Sequence, residues 1–321
     1  MYGIINVKTK LLEDSIIFRN NMPTYHLASV IDDFLMNITH VIRGKEWISS
    51  TPIHIIIYKY FNWKTPKFVH LPLILNNNGG KISKRINNYS NTPLYPIYKY
   101  YKIKNSFKIK GFLPEAVFNF IALLGWNPNP NKNKIIYKKK KLISLFSFKN
   151  INKSDIHLNY SMLCWINKKY LNKKKNFKII YSFLKKKINK LNINIKNKNI
   201  KKIIKLTKNR ISLINQIWDV SYYFFINPIN YKIPIYLKKY INFNKKKIIF
   251  FFNNIKKVFF KNKNKKKIKK IINKINNVFL LKLLRISIVG ELIGINIIDI
   301  LYIIKNNIIL NRINLFLKKI N

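Results

Sequence analysis

The sequence predicts an α/β segment followed by an all-α one, and two observations carry that division. Up to Trp126, short apolar runs alternate with stretches of helical periodicity, whereas from about residue 170 only helical periodicity remains. The acids divide the same way. Glu13, Asp14, Asp32, Asp33 and Glu46 fall within residues 1–48, but after residue 170 only Asp219, Glu291 and Asp299 oppose the lysines.

Taken in order, Ile16-Ile17-Phe18-Arg19 reads as a strand, and Ile38 to Gly44 as a second strand that delivers Arg43 to its end. An arginine held there suits a bidentate clamp on a carboxylate; an ion pair with Asp32 or Asp33 is the alternative. Tyr25 either hydrogen-bonds a small substrate or is an ordinary half-buried tyrosine. Read as strand neighbours, Asp32 and Asp33 point to opposite faces, which excludes joint chelation of a metal. Ser49-Ser50-Thr51-Pro52 is a helix start with hydroxyl caps. Ile53, Ile56, Ile57, Tyr60 and Phe61 then form the inner face, leaving His54 to solvent. Four of the five histidines lie in the first 70 residues, at spacings that fit neither catalysis nor zinc.

Leu71 to Leu75 reads as a buried strand and Asn76 to Gly80 as a turn. Lys81-Ile82-Ser83-Lys84-Arg85 follows, three cations and a hydroxyl on one loop. Such a loop suits a polyphosphate, where lysines stabilise charge; a solvated basic turn is the equal alternative. Residues 86–110 read as an irregular, tyrosine-rich insertion. Gly111 to Pro128 is an apolar helix started by Pro114 and capped by Gly125. Residues 129–141 read as a basic linker. The helices beyond 170 fit contact with RNA phosphates, and solvated lysine faces explain part of the same pattern.

With 63 Lys+Arg against 10 Asp+Glu, the formal charge of +53 points to a polyanion, nucleic acid before an anionic membrane. Heavy use of Lys, Asn and Ile is also what an AT-rich genome produces, so the sign of the charge is informative and its size is inflated. A hydrophobic content of 48% excludes a disordered polycation. The single cysteine, Cys164, excludes an internal disulfide, fits a reducing cytoplasm and, in its apolar context, reads as a buried thiol. No apolar run approaches 18 residues, which excludes an ordinary membrane helix, and the first residues lack a signal-peptide pattern.

Together these segments resemble bacterial-type glutamyl-tRNA synthetase, a class I aminoacyl-tRNA synthetase. Pro23–Asp33 is similar to the family's P-T-Y-x-L-A-x-V-x-D-D. Thr39–Trp47 is similar to T-x-V-I-R-x-x-E-W/H, His70–Arg85 to H-x-P-L-I-L…K-x-S-K-R, and Gly111–Trp126 to G-F/Y-L-P-E-A-x-x-N-x-x-A-L-L-G-W. The tail around Arg285, Gly290 and Gly294 is a fainter match to the end of the family's helical anticodon-binding domain. The resemblance implies the second half of a Rossmann-type catalytic domain over residues 1–105. A stem-contact helical region would follow at 106–172, and a helical anticodon-binding domain at 173–321.

It also implies roles. Lys81, Ile82, Ser83, Lys84 and Arg85 would form the signature loop that closes on ATP, with Lys84 and Lys81 catalytic. Leu73 and Ile74 would offer main-chain groups to adenine. Tyr25, Ser29 and Arg43 would hold glutamate, although Ser29 stands where the family pattern has Asn. The implied partners are tRNA(Glu), glutamate and ATP with Mg2+, in the cytoplasm, with no structural metal and no membrane. The family's H-x-G-H signature is absent. The half that carries it would lie before Ile5 or on a separate chain, so the sequence is expected to be the C-terminal part of a split or truncated ligase. A non-catalytic tRNA-binding remnant is the alternative.

Overall fold

The computed structural model describes residues 3–8, 12, 14–75, 97–99, 102–129, 134–260, 265–273, 275 and 277–320. The chain divides into two compact units. One comprises Met1–Ile109 with Leu113–Ile166, the other Lys110–Phe112 with Asn167–Asn321.

The first unit opens with the two-residue strands β1 (Phe18–Arg19) and β2 (Met22–Pro23), paired antiparallel. Asn20 and Asn21 both take positive φ, as the central residues of a tight primed turn must. Helix α1 (Tyr25–Leu35) follows, so Asp32 and Asp33 sit on a helix, not on the strand assumed for them. Helical φ/ψ is the choice that buries Leu27 and Val30, three apart, against one surface.

Strand β3 (His40–Gly44), helix α2 (Thr51–Tyr60) and strand β4 (Lys67–Leu71) then form a βαβ unit, with β3 and β4 parallel and Arg43 opposite His70. Pro72 ends β4, so the predicted run from Leu71 to Leu75 is broken before β5 (Ile74–Leu75). Helix α2 is rolled from its expected orientation. Thr51, His54, Ile57 and Tyr58 face inward, while Tyr60 and Phe61 are exposed. Neither Ser50 nor Thr51 caps the helix through its side chain; both hydroxyls donate instead to the Trp47 carbonyl.

The region read as an insertion holds a hairpin, β6 (Ile97–Lys99) with β7 (Lys102–Asn105), and the short helix α3 (Phe107–Lys110). Helix α4 (Pro114–Ala122) starts at the expected proline. Residues 134–141, the described end of the segment read as a basic linker, are packed. Buried Asn119 accepts from the Tyr137 N–H (2.7 Å) and donates to the Ile135 carbonyl (2.8 Å). Helix α5 (Lys139–Leu145) then places Leu142 in a small core with Tyr137 and Trp126. Strand β8 (Ile156–His157) pairs parallel with β5. Gly125 takes φ +77°, and an added Cβ would lie 2.5 Å from Ile156 Cδ1. Only glycine fits between these elements.

Helix α6 (Tyr160–Leu171) carries Cys164, half-buried where full burial was expected. The second unit continues through α7 (Phe177–Lys190), α8 (Asn197–Thr207), α9 (Gln216–Asp219), α10 (Ile235–Phe243), α11 (Lys245–Phe260), α12 (Lys265–Asn273), α13 (Val278–Val289), α14 (Ile297–Ile303) and α15 (Asn306–Ile320). Asn277 and Asn296 cap α13 and α14 by accepting N–H groups of the first turn, and Gly290 ends α13 in the left-handed region. Arg312 of α15 is 1% exposed. Its guanidinium donates to the carbonyls of Ile288 (2.7 Å) and Ile226 (2.7 Å) and to Asn227 Oδ1 (3.0 Å). Ile288 lies in the last turn of α13, where carbonyls have no partner within the helix and a cation is favoured.

Candidate functional site

Strand β3 carries Arg43 to its carboxyl end, as the sequence predicted. Its guanidinium is held by neutral groups alone. Nη2 donates to Thr51 Oγ1 (2.6 Å) and the Trp47 carbonyl (3.4 Å), Nη1 to His54 Nδ1 (3.2 Å) and Nε to His70 Nε2 (3.4 Å). The ion pair with Asp32 or Asp33 is not formed; Asp33 acts on Arg43 only at longer range, as does Tyr25. Five N–H groups and four contacts leave one Nη1 hydrogen for another acceptor. Burial pulls Arg43 below the ordinary arginine value, yet leaves it charged at neutral pH. A half-buried cation without a contacting carboxylate favours an anion.

The histidines around it are neutral, and the contacts define their tautomers. Arginine only donates, so His54 Nδ1 accepts and the proton sits on His54 Nε2. That group lies 2.9 Å from His26 Nδ1, to which it donates. His54, expected in solvent, is 2% exposed. Burial, then Arg43, then His26 lower its pKa to about 4. Burial and Arg43 lower His70 as well. Sequence spacing hid this cluster because its members come from α1, α2 and β4. The available signal was the three-residue step from Thr51 to His54, which sets both on the buried face of one helix.

Tyr25 opens α1 with its ring against that of Trp47 (centroids 4.9 Å). Ser29, one turn later, donates to the His26 carbonyl (3.3 Å). Tyr25 and Arg43 therefore converge through Trp47, whose ring and carbonyl each serve one of them. On the β5 side, Asp155 is a residue that sequence reasoning missed. Its Oδ1 accepts the Leu73 N–H (2.9 Å) and its Oδ2 the Lys45 ammonium (2.7 Å). The Lys45 and Leu73 bonds hold its carboxyl below the usual carboxylate range. The Leu73 carbonyl accepts from Ile156 and the Leu75 carbonyl from Leu158. Pairing with β8 thus uses the main chain of Leu73 and Leu75, so that of Ile74 points to the opposite edge. Lys81, Ile82, Ser83, Lys84 and Arg85 lie outside the described residues.

In the second unit the helices present lysines outward. On α8, Ile200, Ile203, Ile204 and Thr207 face the core while Lys198, Lys201 and Lys205 are exposed. Among the described residues no helix is long and apolar enough to cross a membrane.

Residues 1–165 match the family model of tRNA synthetases class I (E and Q), catalytic domain. The chain belongs to this family. Residues 179–317 match the model of an anticodon binding domain, so a class I catalytic domain is followed by a helical anticodon-binding domain. Among curated relatives, the glutamate–tRNA ligase of Flavobacterium psychrophilum is 35% identical over 323 residues, covering 97% of this chain and 63% of that protein. The one from Azobacteroides pseudotrichonymphae is 39% identical over 250 residues, covering 74% and 49%. The crystal structure of a glutamate tRNA ligase from Elizabethkingia meningosepticum, in complex with its amino acid, superposes with a TM-score of 0.86 at 29% identity. The match covers 98% of this chain and 64% of that one. The chain thus spans between about half and just under two thirds of the relatives it matches.

Proposed function

We propose that this class I chain works in glutamate–tRNA ligation, the ATP-dependent activation of glutamate followed by its transfer to tRNA. The observation that carries the reading is Arg43, a half-buried guanidinium with neutral partners and one N–H to spare. Glutamate's carboxylate supplies the missing anion, Tyr25 a hydroxyl beside it, and Ser29 a short polar group one helical turn on. Names of the relatives support the same substrate. The main chain of Ile74, turned away from β8, suits the edge of adenine better than that of Leu73, whose N–H is committed to Asp155. Lys81–Arg85 would close on the ATP phosphates, with Lys84 and Lys81 stabilising charge as pyrophosphate leaves. Mg2+ would arrive with ATP, and metal-bridged phosphates would be steered by these lysines.

The described residues supply groups for the amino acid and for adenine. The phosphate-cradling half would come from further polypeptide, on the same chain or as a separate subunit. We place stem contacts in residues 106–172 and the anticodon arm on 173–321, in the cytoplasm.

Glutamate-dependent ATP–pyrophosphate exchange by the protein isolated from its native cell, with tRNA present, tests the reading. Lys84→Ala should lower kcat by about two to three orders of magnitude, as loss of one charge-stabilising donor does. Arg43→Gln should chiefly raise KM for glutamate. Exchange by Lys84→Ala at the wild-type rate would sink the loop assignment. Tight tRNA binding without any exchange by the wild type would point instead to a binding-only protein.

A further inference from the structure

Outside the Arg43 site, an aromatic face on the second unit lacks an assigned role. Tyr236, Tyr240 and Phe243 recur on α10 at steps of four and three residues, so they form one stripe about 10 Å long. Phe279, from the first turn of α13, stacks on Tyr240 (centroids 4.7 Å, 10°) and meets the edge of Tyr236 (6.3 Å, 67°). Phe243 is 87% exposed, Tyr236 44% and Phe279 39%. The orientation of Tyr236, Tyr240 and Phe279 is set internally. Asn277 Nδ2 donates to the Tyr240 hydroxyl (3.0 Å), and Lys282 Nζ lies over both the Tyr236 ring (5.0 Å) and the Phe279 ring (5.9 Å). These three rings are therefore held in place with a cation fixed among them, and exposed Phe243 extends the stripe.

Charge argues what covers this face. Helices α10, α11 and α13 contain no acidic residue, and Lys238, Lys239, Lys246 and Lys247 are exposed along α10 and the start of α11. An apolar protein surface would cover the rings and leave the cations unmatched. A single-stranded nucleic acid matches both, since every base has a π-face and every nucleotide a phosphate. We infer that Tyr236, Tyr240, Phe243 and Phe279, with Lys282, form a stacking platform for unpaired bases of an RNA. The inference rests on the tRNA-binding reading above and adds to it where on the helical unit unpaired bases are held.

The test is fluorescence anisotropy with the full chain and two labelled probes, a glutamate tRNA transcript and an unstructured seven-nucleotide RNA. Tyr236→Ala and Phe243→Ala should each weaken binding of the short RNA about five- to a hundredfold, the range for loss of one stacked base. The dependence of affinity on salt should stay unchanged. Tyr236→Phe should bind like wild type, because the ring is retained. Lys282→Gln should weaken binding and reduce the salt slope by about one. If the wild type binds both RNAs and neither alanine variant differs from it, the platform is refuted while the tRNA reading stands; a protein-docking face would then be the outcome. If the wild type binds neither RNA, both readings fall.

Discussion

The neutral state of His54 makes folding stability depend on pH. Its folded pKa is lowered from 6.5 to about 4, first by burial and then by Arg43 and His26. In the unfolded chain the same imidazole takes up a proton near its ordinary value. Between these two values the unfolded state binds a proton that the folded state excludes, so acidification favours unfolding. The full difference is present above pH 6.5. It is lost progressively as pH falls toward 4, at about 1.4 kcal/mol per unit, or about 3 kcal/mol in all. His54→Asn keeps an acceptor in place of Nδ1, and with it the contact to Arg43, but cannot titrate. Urea unfolding followed by tryptophan fluorescence reads mainly the first unit, where Trp47, Trp63, Trp126 and Trp165 lie. The wild type should lose more stability than His54→Asn between pH 7 and 4.5. The histidine's ring resonances should show no midpoint near 6.5. Parallel pH profiles, or a midpoint near 6.5, would refute the tautomer chain from Arg43 through His54 to His26.

Two further predictions concern groups outside that chain. Arg312→Met leaves the buried carbonyls of Ile226 and Ile288 without a donor, and it should cost about 3–5 kcal/mol in unfolding free energy; a loss below about 1 kcal/mol would contradict the capping role. Asp155→Ala frees the Leu73 amide, whose hydrogen exchange should quicken while that of buried Leu163 holds; unchanged protection at Leu73 would mean that the carboxylate does not pin it.

The parts legible in the sequence were those governed by nearest-neighbour rules. Arg43 could be placed because β-branched residues and a following glycine mark the end of β3. The start of α4 was legible from Pro114, whereas its end falls at Ala122, ahead of the expected Gly125 cap. Three errors share another cause. Asp32 and Asp33 were read on a strand, α2 was rolled, and residues 129–141 were read as a linker. In each, apolar residues on several sides made more than one buried face possible, and only the partner surface chooses among them. On α2 the chain turns inward the face with a histidine and a threonine and leaves out the one with Tyr60 and Phe61. Both inward polar groups are used by Arg43, a residue on another element.

That exchange explains why the site was only half visible. Arg43 was found because its own position is special, whereas His54, His70, Thr51 and Asp155 matter only through what they touch. Burying a guanidinium at the end of β3 requires acceptors, and a carboxylate among them would quench the charge. Two neutral imidazoles, a hydroxyl and a carbonyl satisfy four of the five hydrogens and leave the charge available. The local sequence around Thr51, His54 and His70 is unremarkable because the requirement they meet is set by Arg43, 8 to 27 positions away. A polar residue facing inward on an otherwise apolar helix is the one trace such a requirement leaves. That trace was present, but Thr51 reads from sequence as a cap and His54 as solvated.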